Sequence, residues 1–415
     1  MGQPWERIFA GSERRLKSSA IRDLLAVTAQ PDVISFAGGL PAPELFPVDA
    51  IRESFDRVFR TEGAAALQYG PTEGHMPLRA MLAERLSARG IQATPEEVLI
   101  TTGSQQALGL LGTVLLPRGS SVLIEAPSYV GALQAFTLHE PEYLPVRMDH
   151  EGLVVEDARR VLKAASVWPA FAYTVATFQN PSGVTMSRER REGLLTLSHE
   201  FEMPLIEDDP YGDLRFDGKA VPPFRALEGG DDAVYLGTFS KTLAPGLRLG
   251  YVVAPRPLIS RMVLAKQAAD LHTDSLAQRA VLDFCLHNDL AAHVDQLCRV
   301  YRERRDAMLS ALKRHLPSSC SWTVPEGGLF TWLTLPEQVN TVELLREAVE
   351  RKVAFVPGSA FFTDGSGGNT LRLNFSHPTP EKIEEGITRL GALLTQRLTS
   401  EDAGGRLELA GSETR

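Results

Sequence analysis

Residues 237–250, Gly-Thr-Phe-Ser-Lys-Thr-Leu-Ala-Pro-Gly-Leu-Arg-Leu-Gly, bring together the groups best suited to chemistry. Two hydroxyls (Thr238, Ser240) precede Lys241, and Arg248 follows the lysine by seven residues, after a Pro245-Gly246 turn. Hydroxyls with an arginine suit a dianionic phosphate, because charge-assisted bonds to phosphate are the strong ones. A lysine held beside that phosphate, between apolar runs, is placed to form an imine with an aldehyde. An aldehyde carrying a phosphate and joined to lysine points to pyridoxal 5'-phosphate (PLP).

Other stretches offer groups that such a cofactor needs. Gly103-Ser104-Gln105 lies where a strand gives way to a helix. The first amides of a helix lack partners and carry partial positive charge, so they suit a phosphate; Ser104 could equally be a simple helix cap. Tyr129, after Ala126-Pro127-Ser128, could stack on a pyridine face or be a core tyrosine. Asn180-Pro181-Ser182-Gly183 ends a strand at the edge where open α/β sheets bind ligands. Asn180 could donate to a phenolate oxygen there, or the segment could be a plain turn.

Glu207-Asp208-Asp209-Pro210-Tyr211 ends the next strand. A pyridine that serves as an electron sink needs a carboxylate at its nitrogen. Neighbouring strand residues face opposite ways, so only one of Glu207 and Asp208 can meet the ring. Arg372 stands alone in the apolar run Leu371–Phe375. An unpaired buried guanidinium is costly, so a carboxylate partner is expected, either structural or a substrate.

Positioning these groups requires strands that alternate with helices. Strand-like runs at 98–102, 121–124, 170–176, 204–207, 233–236 and 249–253 are separated by helical patterns near 78–89, 103–116, 129–139 and 187–201. That alternation predicts an α/β fold with a mostly parallel sheet covered on both faces. After residue 256 helices dominate to Leu316, including one from Leu290 with Arg299, Arg302, Arg304 and Arg305 expected on its exposed side. Runs at 328–333 and 370–375, with helices at 341–351 and 380–398, predict a smaller α+β domain; Thr379 and Pro380 suit N-cap and N1. The expected divisions are an N-terminal arm and part of the small domain at 1–50, a large PLP-binding domain at 51–300, a small domain at 301–399 and a disordered tail at 400–415. A short helix is also expected from Ser19 to Ala26.

The chain has 415 residues, 43% hydrophobic and 23% charged, as in ordinary globular proteins. Its net charge of −9 argues against nucleic-acid binding. Three cysteines without C-x-x-C spacing fit reduced thiols and no metal site. No apolar run approaches a membrane span, and the first residues hold no apolar signal core, so a cytoplasmic enzyme is expected.

Taken together, the chain resembles class I/II aminotransferases of PLP fold type I, and within them the 2-aminoadipate aminotransferase group, which includes lysine-biosynthesis and kynurenine aminotransferases. The resemblance runs from about Ser18 to Leu398 and is most specific at 35–44, 66–74, 101–107, 125–130, 178–181, 207–211, 237–248 and 371–375. It implies that Lys241 is the imine lysine and proton carrier, and that Asp208, rather than Glu207, pairs with the ring nitrogen. It implies that Tyr211 and Asn180 hold the phenolate oxygen, that Tyr129 stacks on the ring, and that Gly103, Ser104, Gln105, Thr238, Ser240 and Arg248 form the phosphate site. Thr238 stands where relatives often have serine, which keeps the hydroxyl. Tyr69 would reach the phosphate of a neighbouring subunit, making a homodimer with shared active sites. Arg372 would bind the substrate α-carboxylate, Gly39 the substrate backbone, and Arg22 the substrate side chain from a mobile N-terminal segment.

The implied activity is ping-pong transfer of an amino group between an amino acid (2-aminoadipate, leucine-like or aromatic) and 2-oxoglutarate. The same fold also carries lyases, decarboxylases and oxidases. A PLP-sensing regulator is a further alternative, but one that would place a DNA-binding domain ahead of the match.

Overall fold

The computed structural model describes residues 32–412, with side chains through residue 399. The first strand, β1 (Ile34–Ser35), pairs in parallel with β12 (Val353–Ala354), so the start of the described chain is tied to a segment far along it. The apolar runs then build an eight-stranded sheet from β2 (Val98–Thr101), β3 (Ser121–Ala126), β4 (Glu142–Asp149), β5 (Gly152–Leu153), β6 (Pro169–Thr174), β7 (Leu205–Asp208), β8 (Val234–Thr238) and β9 (Gly250–Val253). The strand order is β2-β9-β8-β7-β6-β3-β4-β5. The neighbours from β4 to β8 are parallel, and β9 runs against both β8 and β2. β2, β3, β7, β8 and β9 are buried nearly throughout, as a sheet covered on both faces requires.

β9 reverses direction because only the lysine-bearing loop separates it from β8. Thr238 pairs with Gly250, so residues 239–249 are the connection between two adjacent antiparallel strands. Pro245–Leu247 form a single 3-10 turn in this loop, and Arg248 closes it in the left-handed region at φ 51°.

A second sheet of four strands has the order β10-β11-β14-β13, from β10 (Ser321–Trp322), β11 (Phe330–Thr334), β13 (Val356–Pro357) and β14 (Thr370–Asn374). β14 is central, and Arg372 on it pairs with Trp332 and Val356 on either side.

Helices start where the sequence supplies caps. Ser187, Asp274, Asp289 and Asn340 each accept a backbone N–H at the start of Arg188–Glu200, Ser275–His287, Leu290–His315 and Thr341–Glu350. Pro380 opens the last helix, and Thr379 Oγ1 accepts from Lys382 N–H at 3.4 Å. That helix continues to Ser412, through the segment whose composition reads as a disordered tail. Ala403, Arg406, Leu407, Glu408 and Leu409 are good helix formers and carry it past Gly404-Gly405.

The long helix Leu290–His315 also differs from expectation: Arg304 and Arg305 are buried, while Arg299 and Arg302 are exposed. Arg304 donates to the carbonyls of Ser376 and His377 and pairs with Glu44; Arg305 donates to the carbonyl of Pro325 and pairs with Asp217. These partners come from segments distant in sequence, so local periodicity does not reveal them.

Candidate active site

The carboxyl ends of the parallel strands open into a cavity of about 400 Å³, within the size range of ligand pockets. It is lined by the catalytic and phosphate-site candidates Ser104, Gln105, Thr238, Ser240, Lys241 and Arg248, by Tyr129, Asn180, Asp208 and Tyr211, and by Gly39 and Arg372. Three expected residues lie elsewhere. Gly103 sits just behind the lining as N-cap of the helix Ser104–Leu115. Tyr69 is 78% exposed and packs edge-on against His272. Arg22 lies outside the described residues, as does the expected helix Ser19–Ala26.

The acids after β7 sort by direction. Glu207 turns away from the cavity and pairs with Arg191 at 2.8 Å, both buried. Asp209 pairs with Arg89 at 2.7 Å and accepts from Tyr235 Oη at 2.9 Å. Asp208 alone of the three lines the cavity. Its Oδ2 accepts from Tyr173 Oη at 2.9 Å, while its Oδ1 is buried without a hydrogen-bond partner. Burial pushes its pKa up to about 7, against the pull of the Tyr173 bond.

Lys241 donates from Nζ to the Gly39 carbonyl at 2.7 Å. Desolvation first, then the charges of Arg372 and Arg248, lower its pKa to about 8. It is therefore far closer to a free amine at neutral pH than an exposed lysine, as a nucleophile needs.

The same cavity is lined by Arg372, 1% exposed. Its Nη1 donates to Asn180 Oδ1 at 2.8 Å and its Nη2 to the Ala37 carbonyl at 2.7 Å, and Nε has no partner. The guanidinium lies over the rings of Phe330 and Phe361, at 4.2 and 5.2 Å. Among the described residues it has no carboxylate partner. Asn180 also donates from Nδ2 to Tyr211 Oη at 3.3 Å.

The phosphate-site candidates come from two connections. Gly103 adopts φ 73°, and a Cβ there would stand 2.3 Å from Arg248 Nη2. The helix cap uses no side chain, which leaves Ser104 free to line the cavity instead of capping. Thr238 Oγ1 donates to Ser240 Oγ at 3.0 Å and accepts from Ser240 N–H at 3.1 Å, holding the two hydroxyls together. Gln105 Nε2 donates to the Gly131 carbonyl at 2.8 Å, which links this helix to the one after Tyr129.

These groups fit a phosphate-bearing pyridine aldehyde on the structure's own terms. A buried carboxylate oxygen lacks a donor, a lysine is desolvated, and an arginine approaches a glycine too closely for any side chain. Among the described residues there is no cluster of His, Cys, Asp and Glu suited to a metal, and no helix long and apolar enough to cross a membrane. Sequence reasoning missed Tyr173, whose partner Asp208 lies on the neighbouring strand, and Gln179, whose amide reaches Glu125 and the Pro127 carbonyl more than 50 positions away.

Comparison with known proteins agrees with this chemistry. The family model for aminotransferase class I and II matches residues 31–390. The chain is 42% identical over 398 residues to aromatic-amino-acid aminotransferase 1 of Thermococcus litoralis, covering 95% of each chain. It is 45% identical over 393 residues to 2-aminoadipate transaminase of Thermus thermophilus, covering 94% of this chain and 97% of that one. Among solved structures it resembles LysN, the alpha-aminoadipate aminotransferase of Thermus thermophilus complexed with N-(5'-phosphopyridoxyl)-L-leucine. The TM-score is 0.89 at 44% identity, over 96% of this chain and 100% of that one. The chain belongs to the class I and II aminotransferases, and it is a PLP-dependent transaminase of the fold-type I architecture.

Proposed function

We propose that this transaminase exchanges amino groups between 2-oxoglutarate and amino acids of the 2-aminoadipate, leucine-like and aromatic kinds. The observation that carries the reading is Arg372: a buried cation with only neutral hydrogen-bond partners among the described residues, lining the same cavity as a desolvated lysine. Such a cation asks for the α-carboxylate common to every amino acid and leaves the side chain unspecified. The relatives named for 2-aminoadipate and for aromatic amino acids, and the leucine adduct in the related structure, support that breadth.

PLP, when bound, supplies an electron sink that makes the α-proton of an amino acid removable. The chain's residues do the rest. Lys241 would hold the cofactor between turnovers, and its amine, once freed, would move the proton released from the substrate α-carbon. Asp208, whose Oδ1 has no partner, would face the ring nitrogen. Tyr211 and Asn180 would hold the phenolate oxygen, and Tyr129 would stack on the ring. Ser104, Gln105, Thr238, Ser240, Arg248 and the backbone at Gly103 would hold the phosphate. Arg372 and Gly39 would hold the substrate's α-carboxylate end.

The reading extends to assembly. Tyr69, exposed in a single chain, would complete the phosphate site of a second copy, so the working unit is a cytoplasmic homodimer. Residues 51–300 would form the large domain, and 301–399 with part of 1–50 the small one. The division would fall within the helix Leu290–His315, and the β1–β12 pairing supports joining the early segment to the later one.

The test is a substrate panel. Purified protein is incubated with 2-oxoglutarate and 2-aminoadipate, leucine or phenylalanine, and glutamate is measured. Glutamate from members of both the dicarboxylic and the apolar class supports the reading. Release of ammonia or carbon dioxide without glutamate sinks it.

A further inference from the structure

One buried carboxyl has no part in the chemistry above. Glu125, in β3, is 1% exposed and does not line the cavity. Its Oε1 accepts from Thr174 Oγ1 at 2.5 Å; its Oε2 accepts from Val175 N–H and from Gln179 Nε2, both at 3.1 Å. Among the described residues it has no ion pair, and burial pushes its carboxyl above the usual range.

Gln179, also 1% exposed, uses its whole amide. Nε2 donates to the Pro127 carbonyl at 2.8 Å as well as to Glu125, and Oε1 accepts from Ser182 N–H at 2.8 Å. Its backbone accepts from Gly183 N–H and donates to the Val184 carbonyl. One side chain therefore fastens three pieces: the end of β3, the turn that leads to Tyr129, and the turn that contains Asn180. Asn180 in turn accepts from Arg372 and donates to Tyr211. Neither Glu125 nor Gln179 lines the cavity, yet both turns they join deliver residues to it.

We propose that Glu125 and Gln179 act as one positioning unit that sets the orientation of Asn180, and through it of Arg372 towards the substrate α-carboxylate. The proposal rests on reading Arg372 as the carboxylate anchor, so Arg372→Ala is included as a control. A simpler network that only stabilises the fold would lower the unfolding temperature and leave substrate handling unchanged. A positioning unit must also shift KM, and must move the pH midpoint of the lysine-bound cofactor's visible absorbance, which Asn180 and Tyr211 would influence.

The experiment compares holoenzymes of Glu125→Leu, Gln179→Leu, the double variant, Glu125→Gln and Arg372→Ala. Each Leu variant is expected to raise KM for leucine and for glutamate about ten-fold, with kcat changed less, and to shift the absorbance midpoint. The double variant should be no worse than either single one, because two members of one unit couple. Glu125→Gln should stay within about three-fold of the parent, since its amide can accept from Val175 and Gln179 and donate to Thr174 Oγ1. If Gln179→Leu does not fold, Gln179→Glu keeps the size, loses the donor to Glu125 and should give the same two shifts. The proposal is overturned if the Gln179 variants keep KM within about two-fold and the midpoint unmoved while Arg372→Ala raises KM. Additive losses in the double variant overturn it as well. Unchanged KM in Arg372→Ala removes the anchor reading, and this proposal with it.

Discussion

Tyr173 does not line the cavity, yet among the described residues it donates the one hydrogen bond received by the Asp208 carboxylate. That bond opposes the effect of burial on Asp208. Tyr173→Phe keeps the ring and its edge-on contact with Phe136 but removes the donor. The Asp208 carboxyl then holds its proton to higher pH, and less of it is ionised at a given pH. The acid limb of kcat/KM against pH should therefore move upward, with turnover at pH 7 down roughly five-fold for a shift of one pKa unit from about 7. An unmoved acid limb would show that Tyr173 is only packing. The same carboxyl makes a prediction about stability. Its pKa is 3.8 in the unfolded reference and about 7 when folded. Between those values the folded chain holds a proton that the unfolded chain has released. Stability of the cofactor-free protein should fall as pH rises through that window. Asp208→Asn should flatten part of the fall, measured by urea unfolding at several pH values. Glu207, also pushed up to about 7 by burial, and Glu125, raised by burial as well, keep part of the fall. At this scale the sequence showed which residue types carry the chemistry. It could not orient them: Glu207 and Asp208 are equivalent until Arg191 is seen to claim the first, 16 positions away in the chain.

Regular elements were legible where periodicity and caps coincide. The helix opening after Ser187 and the strands β2, β3, β7 and β8 lie close to their expected bounds, and the helix after Thr379 starts where expected but runs on to Ser412. β4 was missed because Glu142–Asp149 contains a proline and alternates in burial, unlike the buried runs at the sheet centre. The loop between β8 and β9 could be read as chemistry but not as geometry. What locates Arg248 is its left-handed backbone, its donation to the Pro245 and Thr102 carbonyls, and its close approach to Gly103. Gly103→Ala places a Cβ against the guanidinium, in a backbone conformation that alanine adopts poorly. Arg248 must then move, and PLP affinity should drop about ten-fold or more, measured by cofactor dissociation on dialysis. Gly109→Ala, in the same helix with open space at its Cβ, is the matched control. It should leave affinity unchanged and stabilise the helix by roughly 0.5–1 kcal/mol. Equal affinity losses in both variants would mean that the helix as a whole, not the Gly103–Arg248 approach, had been disturbed.

At the scale of the molecule, the proposed substrate end of the site would combine Arg372 and Gly39 with Arg22. Arg372 and Gly39 are in place, and Arg22 falls before the first described residue. If Arg22 pairs with a distal carboxylate, Arg22→Ala should weaken glutamate and 2-aminoadipate about ten-fold or more and leave leucine and phenylalanine nearly unchanged. Arg372→Ala should weaken all four, and equal losses across both classes in Arg22→Ala would rule out a side-chain role. Tyr69 raises the matching question for a second copy. It is exposed, as are its neighbour Leu67 at 70% and Leu271 at 48%, beside the His272 ring that Tyr69 meets. Large apolar side chains gathered at one place on the surface suit a partner subunit. If each site borrows Tyr69 from its partner, two defective chains can complement each other. Lys241→Ala lacks its own lysine but can still lend Tyr69. Tyr69→Ala keeps the lysine but lends nothing. Mixed dimers hold one site with both groups, so unfolding, mixing and refolding the two variants together should restore up to about a quarter of wild-type activity. That is half of all dimers with one of two sites complete, by the symmetry of pairing two copies. Activity in the mixture no greater than the sum of the separately refolded variants would place Tyr69 outside the partner's site.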